Sequence, residues 1–149
     1  MVKWKNIYSS ITLKEGEHTL RKSETLSVTI QTSFDKAWTF IVNPENLHLW
    51  TIDFALSSPK KAGGIYQVET PRGLIELFVK LNRDAGTIDF YFGRDGRYGC
   101  SPSRLFPNDE EVLYIFTQFE PDHAPPGLFE KLVSNVRKEL QILKERLES

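Results

Sequence analysis

The chain has 149 residues but only one cysteine, Cys100, and its formal net charge is only -1. A lone cysteine cannot form an intramolecular disulfide, so nothing implies an oxidising compartment. A nearly balanced charge provides no overall field to attract nucleic acid or an anionic membrane. We therefore expect no nucleic acid among the partners and no membrane insertion.

Long apolar runs, internal repeats and low-complexity segments are also missing. The first residues lack the apolar core of a signal peptide, and no later segment is long enough to cross a bilayer, so the expected location is cytoplasmic. The three histidines, His18, His48 and His123, are widely separated and share no metal-ligand spacing with Cys100. We expect no metal and no cofactor.

Aromatic residues are plentiful at 12% of the chain, which suits strands and a lined cavity. The length fits one domain with a sizeable core. Residues 1–22 are polar with few apolar anchors, which predicts an N-terminal extension followed by a single domain over residues 23–149. The extension could cover a sheet edge as an added strand, remain a flexible arm, or pair with a second subunit, which would make a homodimer.

The first strong pattern is a strand followed by two short helices. Alternation of Leu26, Val28 and Ile30 with polar residues predicts a half-buried strand. Ser33 is a suitable N-cap for a helix that should end before Pro44. Apolar residues at helical spacing give this helix one buried stripe, and a second helical turn closes on a tryptophan. These apolar positions are Phe34, Ala37, Trp38, Ile41, Val42, Leu47, Leu49 and Trp50.

From residue 52 onward, hairpin-length connections predict a meander of antiparallel strands. Gly63-Gly64 leads into a strand over 65–70, and further turns separate strands beginning near residues 75, 88, 98 and 112. In the second of these strands, alternate aliphatic residues should face inward, and they are Ile75, Leu77, Val79 and Leu81. The chain then ends in an amphipathic helix.

This C-terminal helix is predicted from about residue 126 to residue 147, after a proline-rich loop. Its apolar face must lie on the sheet. That face consists of Phe129, Leu132, Val133, Val136, Leu140, Leu143 and Leu147. The opposite face is predicted to be solvated and carries Glu130, Lys131, Arg137, Lys138, Glu139, Lys144 and Glu145.

This order of elements resembles the superfamily of START domains, birch-pollen allergens and polyketide cyclases. The most specific matching residues are Ser33, Trp38, Asn43-Pro44-Glu45 and Trp50, and the segments 103–108 and 139–144 are similar to bacterial members. The resemblance implies an α+β helix-grip fold. In this fold a curved seven-stranded antiparallel sheet wraps around a long C-terminal helix, with two short helices after strand 1.

Members of this superfamily bind sterols, lipids, plant hormones, flavonoids or polyketides, and a minority cyclise or dehydrate such molecules. The resemblance therefore implies a binding protein for an apolar or aromatic small molecule held between sheet and helix. One alternative is a metal-independent enzyme of the cyclase or dehydratase type. Another is a protein-interaction domain similar to activators of a chaperone ATPase, because fold alone does not fix function.

Candidate site residues follow from the expected cavity. Its apolar lining is predicted to consist of Trp38, Trp50, Tyr66, Phe90, Tyr114, Phe129, Val133 and Val136. Asp53, Tyr91 and Arg104 are the candidate polar groups, since a carboxylate, a phenol and a guanidinium can each fix a ligand oxygen. His48 could act as an acid or base, although the pattern favours an exposed helix position for it. Cys100 is expected to be a buried, unreactive thiol.

Overall fold

The computed structural model describes residues 21–149. Almost all of the predicted N-terminal extension, residues 1–22, therefore lies outside the described residues. The proposed boundary between the extension and the domain stays a prediction.

Seven strands form one sheet in the spatial order β1-β7-β6-β5-β4-β3-β2, and every neighbouring pair is antiparallel. The strands are β1 Ser23–Ile30, β2 Lys60–Ala62, β3 Ile65–Thr70, β4 Gly73–Asn82, β5 Thr87–Arg94, β6 Arg97–Asn108 and β7 Glu111–Phe119. The predicted antiparallel meander is confirmed.

Strand β6 bends the sheet because it changes partners along its length. Its first part, Arg97–Arg104, pairs with β5, and its last part, Ser103–Asn108, pairs with β7. Pro102 and Pro107 each lie where the register gives β6 a single neighbour, so neither removes a hydrogen bond between two flanking strands. This strand therefore continues without a break to Asn108.

Two short helices connect β1 to the rest of the sheet. The helix α1 spans Phe34–Ile41, and the Ser33 hydroxyl accepts a hydrogen bond from the N–H of Lys36 at 3.2 Å. A 3₁₀ helix over Pro44–Leu49 follows, in which the Asn43 side chain accepts from the N–H of Glu45 at 3.1 Å. The predicted cap at Ser33 and the predicted break at Pro44 are confirmed, and the cap at Asn43 is an addition from the structure.

The C-terminal helix α2 spans Leu128–Glu148 and runs alongside the edge strand β1. Lys22, just before β1, contacts Glu130 near the start of the helix at 3.1 Å. At the other end, Lys144 donates to the Thr29 carbonyl at 2.9 Å, and Glu148 accepts from the N–H of Gln31 at 2.8 Å. The helix is therefore parallel to β1, and side chains near its C-terminus hydrogen-bond backbone groups at the strand's free edge.

The main core lies between the inner face of the sheet and the apolar side of α2, and α1 and the 3₁₀ helix close one end. Ile30, Ile41, Ile88 and Leu143 have no exposed surface in this layer. The predicted α+β fold, a curved sheet gripping a long helix, is confirmed. The short strand β2 was not located from sequence.

Candidate functional site

The layer between sheet and helix contains the predicted apolar lining. Strand register places Phe90 and Tyr114 on the inner face, and α2 supplies its apolar side chains from above. Buried members of the predicted set are Trp38, Trp50, Phe90, Tyr114, Phe129, Val133 and Val136, with Tyr66 half-buried against them. The structure thus brings the predicted lining together, and its contact with a ligand stays a prediction.

Two of the predicted polar groups lie on the opposite side of the sheet. Side chains alternate along a strand, so Tyr91 faces away from its inward neighbour Phe90, and Arg104 away from Leu105. The Tyr91 ring stacks on Phe78 with centroids 5.0 Å apart. Arg104 is exposed and its Nε donates to the Ala85 carbonyl at 3.0 Å. The expectation that these two side chains face the cavity is therefore corrected.

Asp53 also points away from the core. It has a positive φ of 54°, and its side chain is 54% exposed, with a carboxylate oxygen 4.0 Å from the Lys131 ammonium. His48 is exposed on the 3₁₀ helix. The predicted pocket role of Asp53 is thus not supported by its orientation, because the residue turns its carboxylate to solvent.

Cys100 lies on the outer face, opposite Tyr91 in the register. Burial, followed by the nearby Asp89 charge, raises the pKa of its thiol to about 11. The thiolate, which is the nucleophilic form, is therefore scarce at neutral pH, as expected for an unreactive cysteine.

A carboxyl that the sequence assigned to the solvated face of α2 is largely withdrawn from water. One oxygen of Glu139 accepts a hydrogen bond from the backbone N–H of Ile52 at 2.7 Å. Burial raises the pKa of this carboxyl to about 7; the Ile52 N–H opposes the shift and the Asp53 charge adds to it. Glu139 can therefore exist in both protonation states near neutral pH, which is the property required of a general acid or base.

A buried hydrogen-bond chain lies on the inner face of β6 and β7. The Tyr114 hydroxyl, which is fully buried, lies 2.9 Å from the Ser103 oxygen, and the Ser103 hydroxyl donates to the Ile88 carbonyl at 2.6 Å. Burial raises the pKa of Tyr114 strongly; the Ser103 hydrogen bond opposes the rise, and the Glu139 charge adds to it.

The third polar group is the indole N–H of Trp50, immediately after the 3₁₀ helix. The side chain is buried with 4% exposure, and its Nε1 has no acceptor among residues 21–149. Ile52, whose N–H binds Glu139, is two residues further along the chain. The junction of the 3₁₀ helix with α2 thus combines an unpaired donor with a carboxyl of raised pKa.

Several aromatic rings remain only half-buried against the core. Phe54, four residues after Trp50, contacts Phe92 of β5 edge-to-face, with centroids 5.9 Å apart. The half-buried aromatic side chains packed against the core include Phe54, Tyr66, Phe92 and Phe116. They offer apolar surface that is not fully used by internal packing.

Two surface grooves lie outside this layer. One, of about 400 Å³, runs between β1 and α2, where Glu24 and Arg137 face each other at 3.6 Å. The other, of about 390 Å³, lies between α1 and the turn that joins β4 to β5. Neither groove is lined by Trp50, Tyr114 or Glu139.

Across residues 21–149, no three His, Cys, Asp or Glu side chains are grouped so that they could hold a metal ion. The same part of the chain has no helix that is both long and apolar enough to cross a membrane.

The buried hydrogen-bond chain makes a testable contribution to stability. Replacing Tyr114 by phenylalanine should lower the free energy of unfolding by about 1–2 kcal/mol, because it leaves the buried Ser103 oxygen with one partner fewer. Urea denaturation would measure the change. Tyr98→Phe is the matched control, since its 3.4 Å contact with Glu76 is long and only part-buried. Equal losses in both variants would contradict a special role for the Tyr114–Ser103 bond.

Comparisons with known proteins agree with the fold. No protein-family model matches the chain, and no curated protein matches it in sequence. Among solved structures, an uncharacterised protein from Bacillus thuringiensis superposes with a TM-score of 0.68 at 16% identity, covering 86% of this chain and all of that one. A START superfamily protein from Mycobacterium smegmatis gives 0.64 at 9% identity, covering 85% and 97%.

Two further neighbours carry more specific descriptions. The di-domain aromatase/cyclase BexL of the BE-7585A biosynthetic pathway has a TM-score of 0.66 at 12% identity, covering 85% of this chain but 46% of that one. The Aha1 dimer from Colwellia psychrerythraea has a TM-score of 0.64 at 17% identity, covering 85% and 96%. The chain therefore has the START and polyketide-cyclase-like fold that its sequence resembles.

Proposed function

We propose that this protein binds an apolar small molecule between the inner face of the sheet and α2, beside the junction of Trp50 with Glu139. The observation that carries the proposal is a carboxyl of raised pKa and an unpaired indole N–H inside an otherwise apolar layer. Buried polar groups without partners are costly, and such groups concentrate at functional sites. A ligand that supplies the missing hydrogen bond would offset this cost.

The surrounding surface supports an apolar ligand. The half-buried rings of Phe54, Phe92 and Phe116 lie next to fully buried aliphatic residues, so a bound molecule would extend an existing core. Each buried CH₂ would contribute about 0.8 kcal/mol. About ten ligand carbons would then suffice for micromolar affinity after the costs of association.

The solved neighbours support the same class of function. A START superfamily protein and an aromatase/cyclase share this fold, so a ligand-binding role and a cyclase-type role are both compatible with it. Their identities with this chain are far too low to transfer a ligand. Hydrophobic ligand binding and cytoplasmic location stay predictions for this chain.

One observation favours an enzyme as the second candidate. Burial raises the pKa of the Glu139 carboxyl to about 7, which suits metal-independent proton transfer in a cyclisation or dehydration. In that case Glu139→Gln should retain ligand binding and lose turnover. A protein-interaction role as a homodimer is the third alternative, and its support is the dimeric Aha1 neighbour.

Binding at this site can be blocked from α2. Val133 is buried with 7% exposure on the inner side of the helix, whereas the next residue, Ser134, is exposed. Wild type should be stabilised in melting experiments by one class among fatty acids, sterols, flavonoids and aromatic polyketides. A ligand at one hundred times its Kd adds about 2.7 kcal/mol. Val133→Trp should abolish that response, because the larger ring occupies the ligand's space.

The matched control is Ser134→Trp, which should keep the full response. Overpacking at Val133 costs about 1–3 kcal/mol, so Val133→Leu serves as a milder variant if the tryptophan form does not fold. An unchanged ligand response in a folded Val133→Trp variant would exclude this layer as the binding site. A flat response of wild type across all four classes would favour the protein-interaction alternative.

A further inference from the structure

The indole N–H of Trp50, which has no acceptor among residues 21–149, indicates what kind of ligand the site could bind. Its backbone is fixed, since the N–H of Trp50 donates to the Leu47 carbonyl at 3.2 Å at the end of the 3₁₀ helix. The following residue, Thr51, is fixed in the same way by bonds from its N–H and its hydroxyl to the same carbonyl, at 2.9 and 2.7 Å. The ring is therefore held in place by a rigid turn.

The chemistry of the indole limits what it can recognise. An indole N–H only donates, so its partner must be an acceptor. No group among residues 21–149 accepts from it, and a buried donor without a partner is unfavourable by an amount similar to a lost hydrogen bond. A phenylalanine would fill an apolar position without this penalty, so the N–H is the part of the side chain that packing does not explain.

The burial of the indole narrows the acceptor further. A ligand carboxylate that accepted from Trp50, which is 4% exposed, would carry its charge into the core layer, where burying a charge is costly. A neutral acceptor such as a carbonyl oxygen avoids that cost.

We propose that the indole N–H of Trp50 is a specificity-determining donor, and that it selects apolar ligands bearing a neutral carbonyl oxygen, such as aromatic ketones. This inference rests on the proposed function and adds the chemical class of the ligand. The carbonyl oxygen accepts from Trp50 while the remainder of the molecule lies against the half-buried aromatic rings.

The test compares two probes of nearly equal shape, 2-acetonaphthone and 2-isopropenylnaphthalene, which differ in having a carbonyl oxygen or a methylene group. Equilibrium dialysis gives the Kd of each probe for the full chain. The ratio of the two values is then compared between wild type and Trp50→Phe, which removes the donor and keeps an aromatic ring. Because the ratio is compared between proteins, the different hydration of the two probes cancels.

The preference for the ketone should fall about five- to ten-fold in Trp50→Phe, the amount expected for one neutral hydrogen bond. Trp38→Phe is the matched control, a second buried tryptophan on α1, and should leave the ratio unchanged. An unchanged ratio in Trp50→Phe, with both probes still bound, would overturn the inference and leave the proposed function intact. Failure of both probes to bind wild type would also overturn the inference, whereas the proposed function is decided by the melting experiments with the four ligand classes.

A second measurement needs no substitution of Trp50 and applies even if that variant does not fold. In ¹⁵N-labelled wild type, the indole proton of Trp50 should move downfield with the ketone relative to the alkene, since the two rings have closely similar ring-current effects. The chain has three tryptophans, and the signals of Trp4 and Trp38 are identified by their disappearance in Trp4→Phe and Trp38→Phe, which leaves that of Trp50. Equal shifts of the Trp50 indole proton with both probes would contradict a hydrogen bond to the carbonyl.

Discussion

Replacing Glu139 by glutamine should raise the free energy of unfolding by about 3 kcal/mol at pH 8 and leave it nearly unchanged near pH 4.5. The pKa of the folded carboxyl is about 7, above its ordinary value of 4.5. Between these values the folded state binds more protons than the unfolded state, so stability conferred at low pH is lost as pH rises towards 7. Each pKa unit corresponds to about 1.36 kcal/mol, which sets the size of the gain.

Glutamine is the appropriate substitution because its side-chain oxygen can still accept the hydrogen bond from Ile52. Urea denaturation of both proteins at pH 5, 6, 7 and 8 measures the difference directly. Glu130→Gln is a control of opposite sign, since its own backbone N–H and then Lys22 lower the pKa of that carboxyl. A difference between wild type and Glu139→Gln that does not grow with pH would mean that Glu139 is well solvated.

Substituting Gly86 by alanine should destabilise the protein much more than substituting Gly96 by alanine. Both glycines have nearly the same backbone conformation, with φ of 74° and 75°. A Cβ at Gly86 would lie 2.1 Å from the Leu105 carbonyl oxygen, whereas a Cβ at Gly96 meets no atom within 4 Å. Both substitutions therefore place a Cβ in the left-handed region, and Gly86→Ala additionally causes a collision with backbone.

We expect Gly96→Ala to lower the free energy of unfolding by about 1 kcal/mol, the usual cost of a left-handed conformation for a residue with a Cβ. Gly86→Ala should cost at least about 3 kcal/mol, because the collision must be relieved by moving backbone. The Gly86 carbonyl accepts from the N–H of Leu105 at 2.8 Å, so this movement would also disturb the nearby Ser103 and its bond to Tyr114. Similar losses from both substitutions, measured by urea denaturation, would show that the strand ends adjust freely.

The fold could be predicted well because its signals are local. The apolar repeat of α2, the cap at Ser33 and the break at Pro44 identify their elements without tertiary information. Strand β2 has no such signal, since Lys60, Lys61 and Ala62 are all exposed and do not alternate. It exists because these residues pair with β3, which only the folded chain reveals.

The facing of individual side chains was harder to predict where both faces of a strand carry large residues. In β5, Phe90 and Tyr91 are adjacent and both are buried, the first in the core layer and the second on the outer face. Because both are large aromatic residues, residue type alone does not show which of the two faces the core. The face on which Arg104 lies could not be predicted either, because its neighbours in β6 are a mixture of small polar and apolar residues without a clear alternation.

Glu139 was missed because its environment depends on a contact across 87 residues of sequence. Its spacing from Val136 and Leu143 puts it at the border of the apolar stripe, where a charged side chain is usually solvated. The segment after Trp50 covers it in the folded protein. The only sequence signal was this border position, and it is compatible with both a solvated and a buried carboxyl.

The contacts of Lys144 and Glu148 with β1 also bear on self-association. Among residues 21–149, β1 is an edge strand of the sheet, and backbone groups at a sheet edge can pair with a strand from another molecule. These two side chains occupy the Thr29 carbonyl in β1 and the Gln31 N–H just after it. Fraying of the last helical turn would release both groups, so local melting at the end of α2 would make this edge more available for pairing.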